Sequence, residues 1–399
     1  MKLLHVITGI NRGGAENHLV ELVRHQRAVG MDVSVAYLRG QGYWASELKS
    51  LGAQVHDLAL KFYGDLAPVL QLRRLIKKTQ CDLLHAHLPP AELYSRLALL
   101  GTSRRSVPML ITKHNEERFY NGPGQRFLGR WTARRADRVI AISKAVKQYM
   151  SGRGLGVDEG KFETILYGID AAGFVEPRAA QVAALRKEWG VPVDAITIGF
   201  VGRVVPQKDI GTLIRGFALF AQTMPDARLV IVGAGPCEDE LRNCASALGI
   251  AERLIWAGFR EDIQTVMRAF DIFALASIYE GFGLVLLEAM AASVAVAATR
   301  VGAIPEVVAE GETGLLIEPR KPEALATIFH QLSDRNVRTR MGNAGRQRVL
   351  QEFTRERMWE ETDALYARCT RGATAEASTP LRDVPVKALS PSAELQGSN

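Results

Sequence analysis

Apolar runs and amphipathic segments alternate along the first part of the chain. The apolar runs, such as "LLHVITGI" and "CDLLHAHL", have the length of buried strands and end in turn-forming residues. The segments between them, such as "HLVELVRHQRAVG" and "APVLQLRRLIKKT", carry apolar residues at helical spacing. Because strands that alternate with helices form a parallel sheet covered on both faces, this pattern predicts an α/β domain.

The same alternation begins again after a turn-rich stretch, "ILYGIDAAGFVEPRAAQ". Strands are predicted at "ITIGFVGRV", "RLVIVGAG", "DIFALAS" and "VAVAATR", with helices between them. We therefore predict two doubly wound Rossmann-like α/β domains, residues 1–170 and 171–352, that face each other across a cleft. The tail 370–399 is rich in Ala, Ser, Thr, Pro and Gly, which predicts disorder.

Composition and termini narrow the class of protein. A hydrophobic content of 47% and a charged content of 23% are typical of a globular protein. No apolar run approaches the roughly 20 residues that span a bilayer, and the start of the chain lacks a cleavage site, so we expect no signal peptide. The four cysteines lack CxxC or metal-ligand spacing, which favours reduced thiols and a cytoplasmic location.

The net charge of +7 is concentrated in part on one predicted helix, residues 126–138. Its arginines recur at helical spacing between apolar residues: Arg126, Arg130, Arg134, Arg135 and Arg138. Such a helix rests on an anionic membrane surface or acceptor, or it packs on the core with a solvated basic face, and the sequence leaves both open. No nucleic-acid-binding motif accompanies the charge, so we expect no nucleic-acid partner.

Three loops after predicted strands carry candidate binding residues, because ligands of open α/β sheets bind at the carboxyl ends of the strands. Gly14 follows the first strand, in either an anion-binding loop or a plain tight turn. His87 ends "DLLHAH" and is either a structural histidine or a side chain that faces the cleft. Arg203 and Lys208 flank a turn, where they would clamp a diphosphate or stay solvated.

A fourth loop contains two glutamates, in "EGFGLVLLEAMAAS". Glu280 precedes Gly281 and Gly283, which allow a close approach of the backbone, and a helix is predicted from Leu284. Glu288 lies in that helix among apolar residues, where an ionised carboxylate needs hydrogen-bond donors. Two neighbouring hydroxyl groups of a sugar supply such donors, so the stretch favours a sugar-containing ligand over a structural ion pair.

This stretch resembles the E-x7-E signature of the retaining, GT-B fold glycosyltransferases of family 4. Other motifs resemble the same family in the same order, namely "FVGRVVPQKDIGTLIRGFA", "LVIVGAGPCEDELR", "WAGFREDI", "ATRVGAIPEVVAEGETGLLIEP" and "FTRERMWEETDALY". The resemblance extends to about Arg371 and is looser in the first half, where "GGAE" and "DLLHAHLPPA" look like acceptor-side motifs. It implies a GT-B fold whose final helix, residues 353–369, crosses back to the first domain, with hinges at 167–170 and before that helix.

The resemblance implies a donor site for a nucleotide diphosphate sugar and no permanently bound cofactor. Arg203 and Lys208 would hold the diphosphate, and Glu280 would contact the transferred sugar. Glu288 would accept hydroxyl groups of the nucleotide ribose, and Arg260 lies where the family reads the base. The other residues of the implied site would approach the sugar, the phosphates or the acceptor: Gly14, His87, Gly281, Phe282, Gly283 and Leu284.

The reaction implied by the resemblance is transfer of a sugar from a nucleotide diphosphate sugar, with retained anomeric configuration. The basic helix 126–138 suggests a saccharide or lipid-linked acceptor near an anionic membrane, and we expect a role in cell-envelope or exopolysaccharide assembly. The sequence contains no Asp-x-Asp motif and no metal-ligand spacing, so we expect no metal. The chain departs from the family where Gly302 is followed by Ala303 rather than by a second glycine.

Two alternative functions remain from the sequence. One is a nucleotide-sugar epimerase of similar fold, and the other is a non-catalytic nucleotide-sugar-binding protein. The absence of a G-x-G-x-x-G fingerprint disfavours a dinucleotide oxidoreductase.

Overall fold

The computed structural model describes residues 1–11, 13–100, 107–115, 122–155, 157–174 and 179–371. The strands of the first half are β1 Lys2–Ile7, β2 Asp32–Tyr37, β3 Gln54–Asp57, β4 Leu83–His87, β5 Met109–Lys113, β6 Arg138–Ala141 and β7 Phe162–Thr164. Within the described residues these strands form one parallel sheet in the order β3-β2-β1-β4-β5-β6-β7. The order reverses between β1 and β4, so the loops after these two strands flank the crevice in which α/β domains bind ligands.

Helices connect these strands on both faces of the sheet. They are α1 Gly14–Ala28, α2 Ala45–Ser50, α3 Ala67–Thr79, α4 Pro89–Leu99, α5 Pro123–Arg135 and α6 Lys144–Tyr149. Helices α3, α4 and α5 each carry a proline in the first turn, where the missing N–H group costs no hydrogen bond. The two prolines that begin α4 also end β4, which leaves His87 as the last residue of its strand.

The second half forms a second parallel sheet. Its strands are β8 Thr197–Val201, β9 Arg228–Val232, β10 Leu254–Gly258, β11 Ile272–Leu275, β12 Ala295–Thr299 and β13 Gly314–Ile317. In the described part of the chain their order is β10-β9-β8-β11-β12-β13. The order reverses between β8 and β11, so the loops that carry Lys208 and Glu280 follow the two strands of this crevice.

The helices of the second half cover its sheet and then return to the first. They are α7 Ala179–Glu188, α8 Ile210–Phe220, α9 Glu238–Ala247, α10 Ile263–Arg268, α11 Leu284–Ala291, α12 Ile304–Val307, α13 Pro322–Ser333, α14 Arg335–Glu352 and α15 Arg355–Arg371. Helix α15 contacts the first half of the chain, where Asp363 pairs with His25 at 2.8 Å and Tyr366 bonds His85 at 2.7 Å.

The two connections between the halves lie side by side. Ile169, in the outgoing connection, forms an isolated parallel bridge with Thr354, in the returning one. A Cβ atom on Gly168 would lie 2.1 Å from the carbonyl oxygen of Thr354, so only glycine allows this close approach. The two connections therefore contact each other at the positions of the predicted hinges.

The predicted fold class, two doubly wound α/β domains facing across a cleft, is confirmed. The predicted basic helix 126–138 lies three residues earlier than expected, because α5 spans Pro123–Arg135 and Arg138 begins strand β6. The prediction also named no elements where α13 and α14 lie. Thr370 and Arg371, predicted to start a disordered tail, belong to α15, and residues 372–399 lie outside the described residues. Among the described helices, none combines the length and apolar character needed to cross a bilayer.

Candidate functional site

The loops after β8 and β11 meet at one ion pair. The Lys208 ammonium lies 2.5 Å from the Glu280 carboxylate, and each side chain is only 13% exposed. The Ser277 hydroxyl donates to the same carboxylate at 3.4 Å. The backbone of Gln207 accepts from the amide of Ile278 at 2.9 Å, so the two loops are also tied through the main chain. The structure thus brings together Lys208 and Glu280, the charged pair expected at a donor site.

The loop from Glu280 to Gly283, which we call the donor loop, is packed too tightly for larger residues. A Cβ atom on Gly281 would lie 2.5 Å from the carbonyl oxygen of His114, and Gly283 has a left-handed φ of 86°. On the other side, a Cβ atom on Gly302 would lie 1.9 Å from the carbonyl oxygen of Glu280. Ala303, at the position where a second glycine was expected, is accommodated in a right-handed conformation and donates to Glu280 O at 3.3 Å.

Glu288 lies one turn into α11 and lines a cavity of about 590 Å³ between the two halves of the chain. Tyr167, His18, Leu284 and Arg355 also line this cavity. No hydrogen bond or ion pair joins the Glu288 carboxylate to another side chain of the described residues. Burial raises the pKa of Glu288 to about 7. A half-buried carboxylate without a protein partner, beside an open cavity, is free to accept hydrogen bonds from a ligand.

A second cavity, of about 460 Å³, lies on the outer face of the second half, between α8 and α13. Arg215, Leu219, Leu248 and Arg253 are among its lining residues. None of the candidate site residues named from the sequence borders it.

Gly14, the first residue of α1, faces the start of α11 across the cleft. A Cβ atom on Gly14 would lie 3.8 Å from Leu284 Cδ1, which is an ordinary contact distance. The amide ends of two helices from different halves of the chain therefore converge, and such ends attract anions.

Arg203 has an exposed side chain that faces the same end of α1. Burial raises the pKa of the Glu16 carboxyl in α1, and the positive charge of Arg203 partly offsets this effect. Arg203 is thus a cation at the cleft with no protein carboxylate bonded to it among the described residues.

Arg260 is committed to neighbouring carboxylates. Its guanidinium makes two hydrogen bonds to Asp262, at 2.8 and 2.9 Å, and one to Glu188 at 2.9 Å. These bonds raise the pKa of Arg260 and lower that of Asp262. If this segment reads a base, it does so with its backbone rather than with the guanidinium.

His87 does not line the cleft, contrary to the prediction that it approaches the sugar or acceptor. Its side chain is fully buried, with Nε2 3.0 Å from His5 Nδ1 and Nδ1 3.2 Å from His114 Nε2. His114 instead adjoins the donor loop through its carbonyl group, and its Nδ1 is hydrogen-bonded to the hydroxyl of Tyr167. The sequence analysis missed His114, although it directly follows strand β5 and His87 ends the neighbouring strand β4.

Folding also creates a histidine cluster that no sequence spacing shows. One ring nitrogen from each of His5, His85 and His87 lies within 4.8 Å of the other two, a separation that a metal ion could bridge. These rings already hydrogen-bond to one another or to neighbouring polar groups: Gln26, Thr112, His114 and Tyr366. The cluster is therefore satisfied without a metal, since its nitrogen atoms have protein partners.

Two contacts join the start of α6 to the second half, one to the donor loop and one to α12. The Ser143 hydroxyl donates to the carbonyl of Gly281 at 3.4 Å. The Glu306 carboxylate accepts from the amides of Lys144 and Ala145, at 2.8 and 2.6 Å. Neither Ser143 nor Glu306 was predicted, because each acts on a residue more than a hundred positions away.

Comparison with known proteins agrees with this geometry. A model of glycosyltransferase family 4 matches residues 12–172, and a model of glycosyl transferases group 1 matches residues 181–348. The D-inositol 3-phosphate glycosyltransferase of Corynebacterium glutamicum is 30% identical, over 67% of this chain and 67% of that protein. The alpha-maltose-1-phosphate synthase of Mycolicibacterium smegmatis is 29% identical, over 89% of this chain and 95% of that protein.

A solved structure shows the same fold. HepE from Anabaena, crystallised with UDP-glucose, has a TM-score of 0.82 at 24% identity, over 92% of this chain and 100% of that one. Because the two family models together match most of the chain, it belongs to the group 1, family 4 glycosyltransferases. It has the GT-B fold, and its activity is sugar transfer.

Proposed function

We propose that the protein transfers a sugar from a nucleotide diphosphate sugar to a hydroxyl group of a saccharide or lipid-linked acceptor and retains the anomeric configuration. The observation that carries the proposal is the wall of the cleft from Lys208 to Glu288. It combines a buried cation–carboxylate pair, two glycines, a helix N-terminus and a second carboxylate without a protein partner. HepE was crystallised with UDP-glucose, which supports a nucleotide-sugar donor.

In this proposal each residue of the wall binds one part of the donor. Lys208 and Arg203 bind the diphosphate, and the amides at the start of α11 and α1 face it from two sides. Glu280 contacts the transferred sugar, with the backbone of Gly281, Phe282, Gly283 and Leu284 alongside. Glu288 accepts the ribose hydroxyl groups, and the segment at Arg260 reads the base through its main chain.

The diphosphate gains negative charge as it leaves, and fixed positive groups stabilise that charge without rearrangement. Lys208, Arg203 and the two helix ends supply this stabilisation, so the proposed reaction needs no metal. The rings of His87 and His114 have both nitrogens bonded to neighbours. Neither ring is thus available as a base, and we propose that a donor phosphate oxygen takes the acceptor proton.

The surface of helix α5 suggests where the acceptor is bound. Phe127 and Leu128 are 68% and 42% exposed, and Arg126, Arg130 and Arg134 are exposed on the same helix. Exposed apolar and cationic side chains on one helix fit the surface of an anionic membrane. We propose that the acceptor lies at such a surface, as a lipid-linked saccharide does, and that the enzyme works in cell-envelope or exopolysaccharide assembly.

Co-sedimentation with vesicles tests the membrane part. Wild-type protein should sediment with vesicles of anionic phospholipid and stay in solution with zwitterionic ones. A variant with Arg126, Arg130 and Arg134 changed to Glu should lose this binding, whereas the same change at Arg242, on the second half, should not. Equal sedimentation of wild type and the triple variant would exclude α5 as the contact.

Thermal unfolding against a panel of nucleotide sugars and nucleoside diphosphates tests the donor site. Binding at 100 times Kd stabilises a folded protein by about 2.7 kcal/mol, which raises Tm by several degrees. Compounds with at least one of the nucleotide bases in the panel should raise the Tm of the wild type but not that of Glu288→Ala. If no compound of the panel raises Tm, the donor proposal is wrong.

The same panel separates the alternatives. Stabilisation with slow hydrolysis of the donor supports a transferase, since water replaces the acceptor. Stabilisation without any turnover on a range of acceptors would favour a non-catalytic binding protein. Conversion of the donor to an epimeric nucleotide sugar would favour an epimerase.

A further inference from the structure

A row of hydrogen bonds runs through the buried histidines of the first half. The Tyr167 hydroxyl bonds His114 Nδ1, and His114 Nε2 lies 3.2 Å from His87 Nδ1. His87 Nε2 lies 3.0 Å from His5 Nδ1, and His5 Nε2 lies 2.9 Å from Gln26 Oε1. Every ring in this row is therefore bonded through both nitrogens.

The row continues from Gln26 to the helix that returns from the second half. Gln26 Nε2 donates to the Tyr366 hydroxyl at 3.4 Å. The Tyr366 hydroxyl lies 2.7 Å from His85 Nδ1, and His85 Nε2 lies 2.6 Å from the Thr112 hydroxyl. Seven hydrogen bonds thus join eight side chains in the order Tyr167, His114, His87, His5, Gln26, Tyr366, His85 and Thr112.

The amide of Gln26 fixes the direction of its own two bonds and of the three bonds that follow on the His5 side. Its oxygen only accepts, so His5 must carry its proton on Nε2, and a neutral His5 then accepts at Nδ1. The same reasoning places the proton of His87 and of His114 on Nε2 and makes Tyr167 a donor. On the other side, the Tyr366 hydroxyl accepts a hydrogen bond from the Gln26 amide, and its own O–H group can then donate to His85 Nδ1, which places the proton of a neutral His85 on Nε2.

All four rings are neutral in this arrangement. Burial lowers the pKa of His5 to about 4 and places the pKa of His85, His87 and His114 well below the usual value. A charged ring would carry a proton on both nitrogens and would face another donor. The lowered pKa values therefore agree with the neutral rings that the hydrogen bonds require.

The row touches both connections between the halves and the donor loop. Tyr167 lies in the outgoing connection and Tyr366 in the returning helix α15. The Tyr167 ring packs against Phe282 of the donor loop, with 5.3 Å between ring centroids. The carbonyl of His114 adjoins Gly281, as described above.

We propose that these eight side chains form one hydrogen-bonded chain of fixed direction, which positions the donor loop for sugar transfer and couples it to both interdomain connections. Gln26, Tyr167 and Tyr366 are positioning residues in this chain. They act through His114 and Phe282. The catalytic part of this inference rests on the proposed donor site, whereas the direction of the chain does not.

Nitrogen-15 NMR of histidine-labelled full-length protein tests the direction without any substrate. Single histidine variants assign the signals. His5, His85, His87 and His114 should all be neutral at about pH 7, with the proton on Nε2. A charged ring or a proton on Nδ1 at any of the four would overturn the proposal. Addition of Zn²⁺ should leave the four signals unchanged, and stoichiometric uptake with altered signals would make the cluster a metal site instead.

Turnover of Tyr366→Phe tests the coupling, because Tyr366 lies outside the donor loop. Loss of one hydrogen bond of the chain should lower kcat roughly fivefold to tenfold, with the Kd of the nucleoside diphosphate changed less than about twofold. The His85 Nδ1 signal should shift as its donor is lost. Tyr37→Phe is the matched control, since Tyr37 is also buried but pairs with Asp57 outside the chain.

The two measurements separate the failure of this inference from that of the donor site. An unchanged kcat in Tyr366→Phe, with wild-type nucleotide binding, would overturn the coupling and leave the donor site standing. Failure of the wild type to bind any nucleotide would contradict the donor site. The NMR result would still show whether the hydrogen bonds between the eight side chains run in the proposed direction.

Discussion

The Lys208 ammonium and the Glu280 carboxylate lie 2.5 Å apart although 72 residues separate them in sequence. Strands β8 and β11 are neighbours at the point where the strand order reverses, so the loops after them converge. Each side chain is largely shielded from water, and removal of either would leave the other charge poorly solvated. In the proposed donor site, this pair would hold a cation beside the diphosphate and a carboxylate beside the transferred sugar.

Substitutions in this pair should separate donor binding from turnover. Lys208→Ala removes a charge-assisted hydrogen bond to the diphosphate and should weaken donor binding by roughly 10-fold to 100-fold. Glu280→Gln keeps the shape of the side chain and should lower kcat at least about tenfold, with donor Kd changed less than about threefold. Calorimetric titration and initial rates measure the two effects.

Glu238→Gln is the control for the pair, because Glu238 forms an exposed salt bridge with Arg242 in the same half of the chain. It should leave both parameters unchanged. Unaltered turnover in Glu280→Gln would remove Glu280 from the proposed mechanism.

The raised pKa of Glu288 predicts pH-dependent donor binding. With a pKa of about 7, the carboxylate is mostly protonated at about pH 6 and mostly ionised at about pH 8. Because the proposed ribose contact needs the ionised form, the affinity for a nucleotide sugar should rise by about tenfold between these pH values. A nucleotide sugar suits the titration, since its diphosphate diester does not titrate in this range.

Glu288→Gln should bind the donor more weakly than the wild type at about pH 8 and show no such pH dependence. Ligand-free Glu288→Gln should also have a higher Tm than the wild type at this pH. The reason is that the folded-state pKa lies above the usual value of 4.5, so ionisation of Glu288 destabilises the fold as pH rises through that range. A wild-type affinity that does not vary with pH would contradict the role given to Glu288.

Two glycines of the cleft should respond differently to alanine. At Gly14 a methyl group would only touch Leu284, so Gly14→Ala should keep the wild-type Tm and weaken donor binding by narrowing the cleft. Gly302 has a φ of 52° and no space beside the Glu280 carbonyl, so Gly302→Ala should lower Tm and turnover together.

Gly152→Ala serves as the control for both, because nothing lies within 4 Å of its added methyl group. Tm and nucleotide titration measure the outcomes. Normal donor binding in Gly14→Ala would place the diphosphate away from α1.

Much of the fold and part of the site were predictable from the sequence, because they depend on local patterns. Apolar runs and helical spacing identified the strands, and the loops after them contained Lys208 and Glu280. The partnership of these two residues depends on which strands are neighbours, and this was not visible in a linear pattern. The roles of the site residues came from the resemblance to a family and stay predictions.

The errors have local causes. Arginines at i and i+4 continue helical spacing to Arg138, but Ala136 is extended and Asp137 accepts from the amide of Met109 as strand β6 begins. The strand-end position left His87 open between a structural and a cleft-facing role, and the resemblance placed it near the sugar. Its ring is instead fully buried, 3.0 Å from the His5 ring on the neighbouring strand. The histidine chain was missed because its bonds join residues up to 340 positions apart.

The buried histidines predict a loss of stability in acid. His5, His18, His85, His87 and His114 have folded-state pKa values below the usual 6.5. They stay neutral when folded and protonate on unfolding, so their stabilisation is complete above about pH 6.5 and is lost as pH falls. Each contributes a slope of up to about 1.4 kcal/mol per pH unit below that value.

Denaturant titration between about pH 7 and pH 5 measures this loss, in a range above that in which most carboxylates titrate. The free energy of unfolding should fall steeply, and Tm should fall with it. A free energy of unfolding that stays constant over this range would show that the five rings are not neutral and buried together.

Release of a nucleoside diphosphate in the presence of a metal chelator tests the central claim most directly. Wild-type protein, incubated with its best-binding nucleotide sugar and EDTA, should release the nucleoside diphosphate slowly as the sugar is transferred to water. Release should be faster when an acceptor is present. Lys208→Ala should release far less nucleoside diphosphate under both conditions. Absence of release from every nucleotide sugar, or release only after a divalent cation is restored, would contradict a donor site built from Lys208, Glu280 and Glu288.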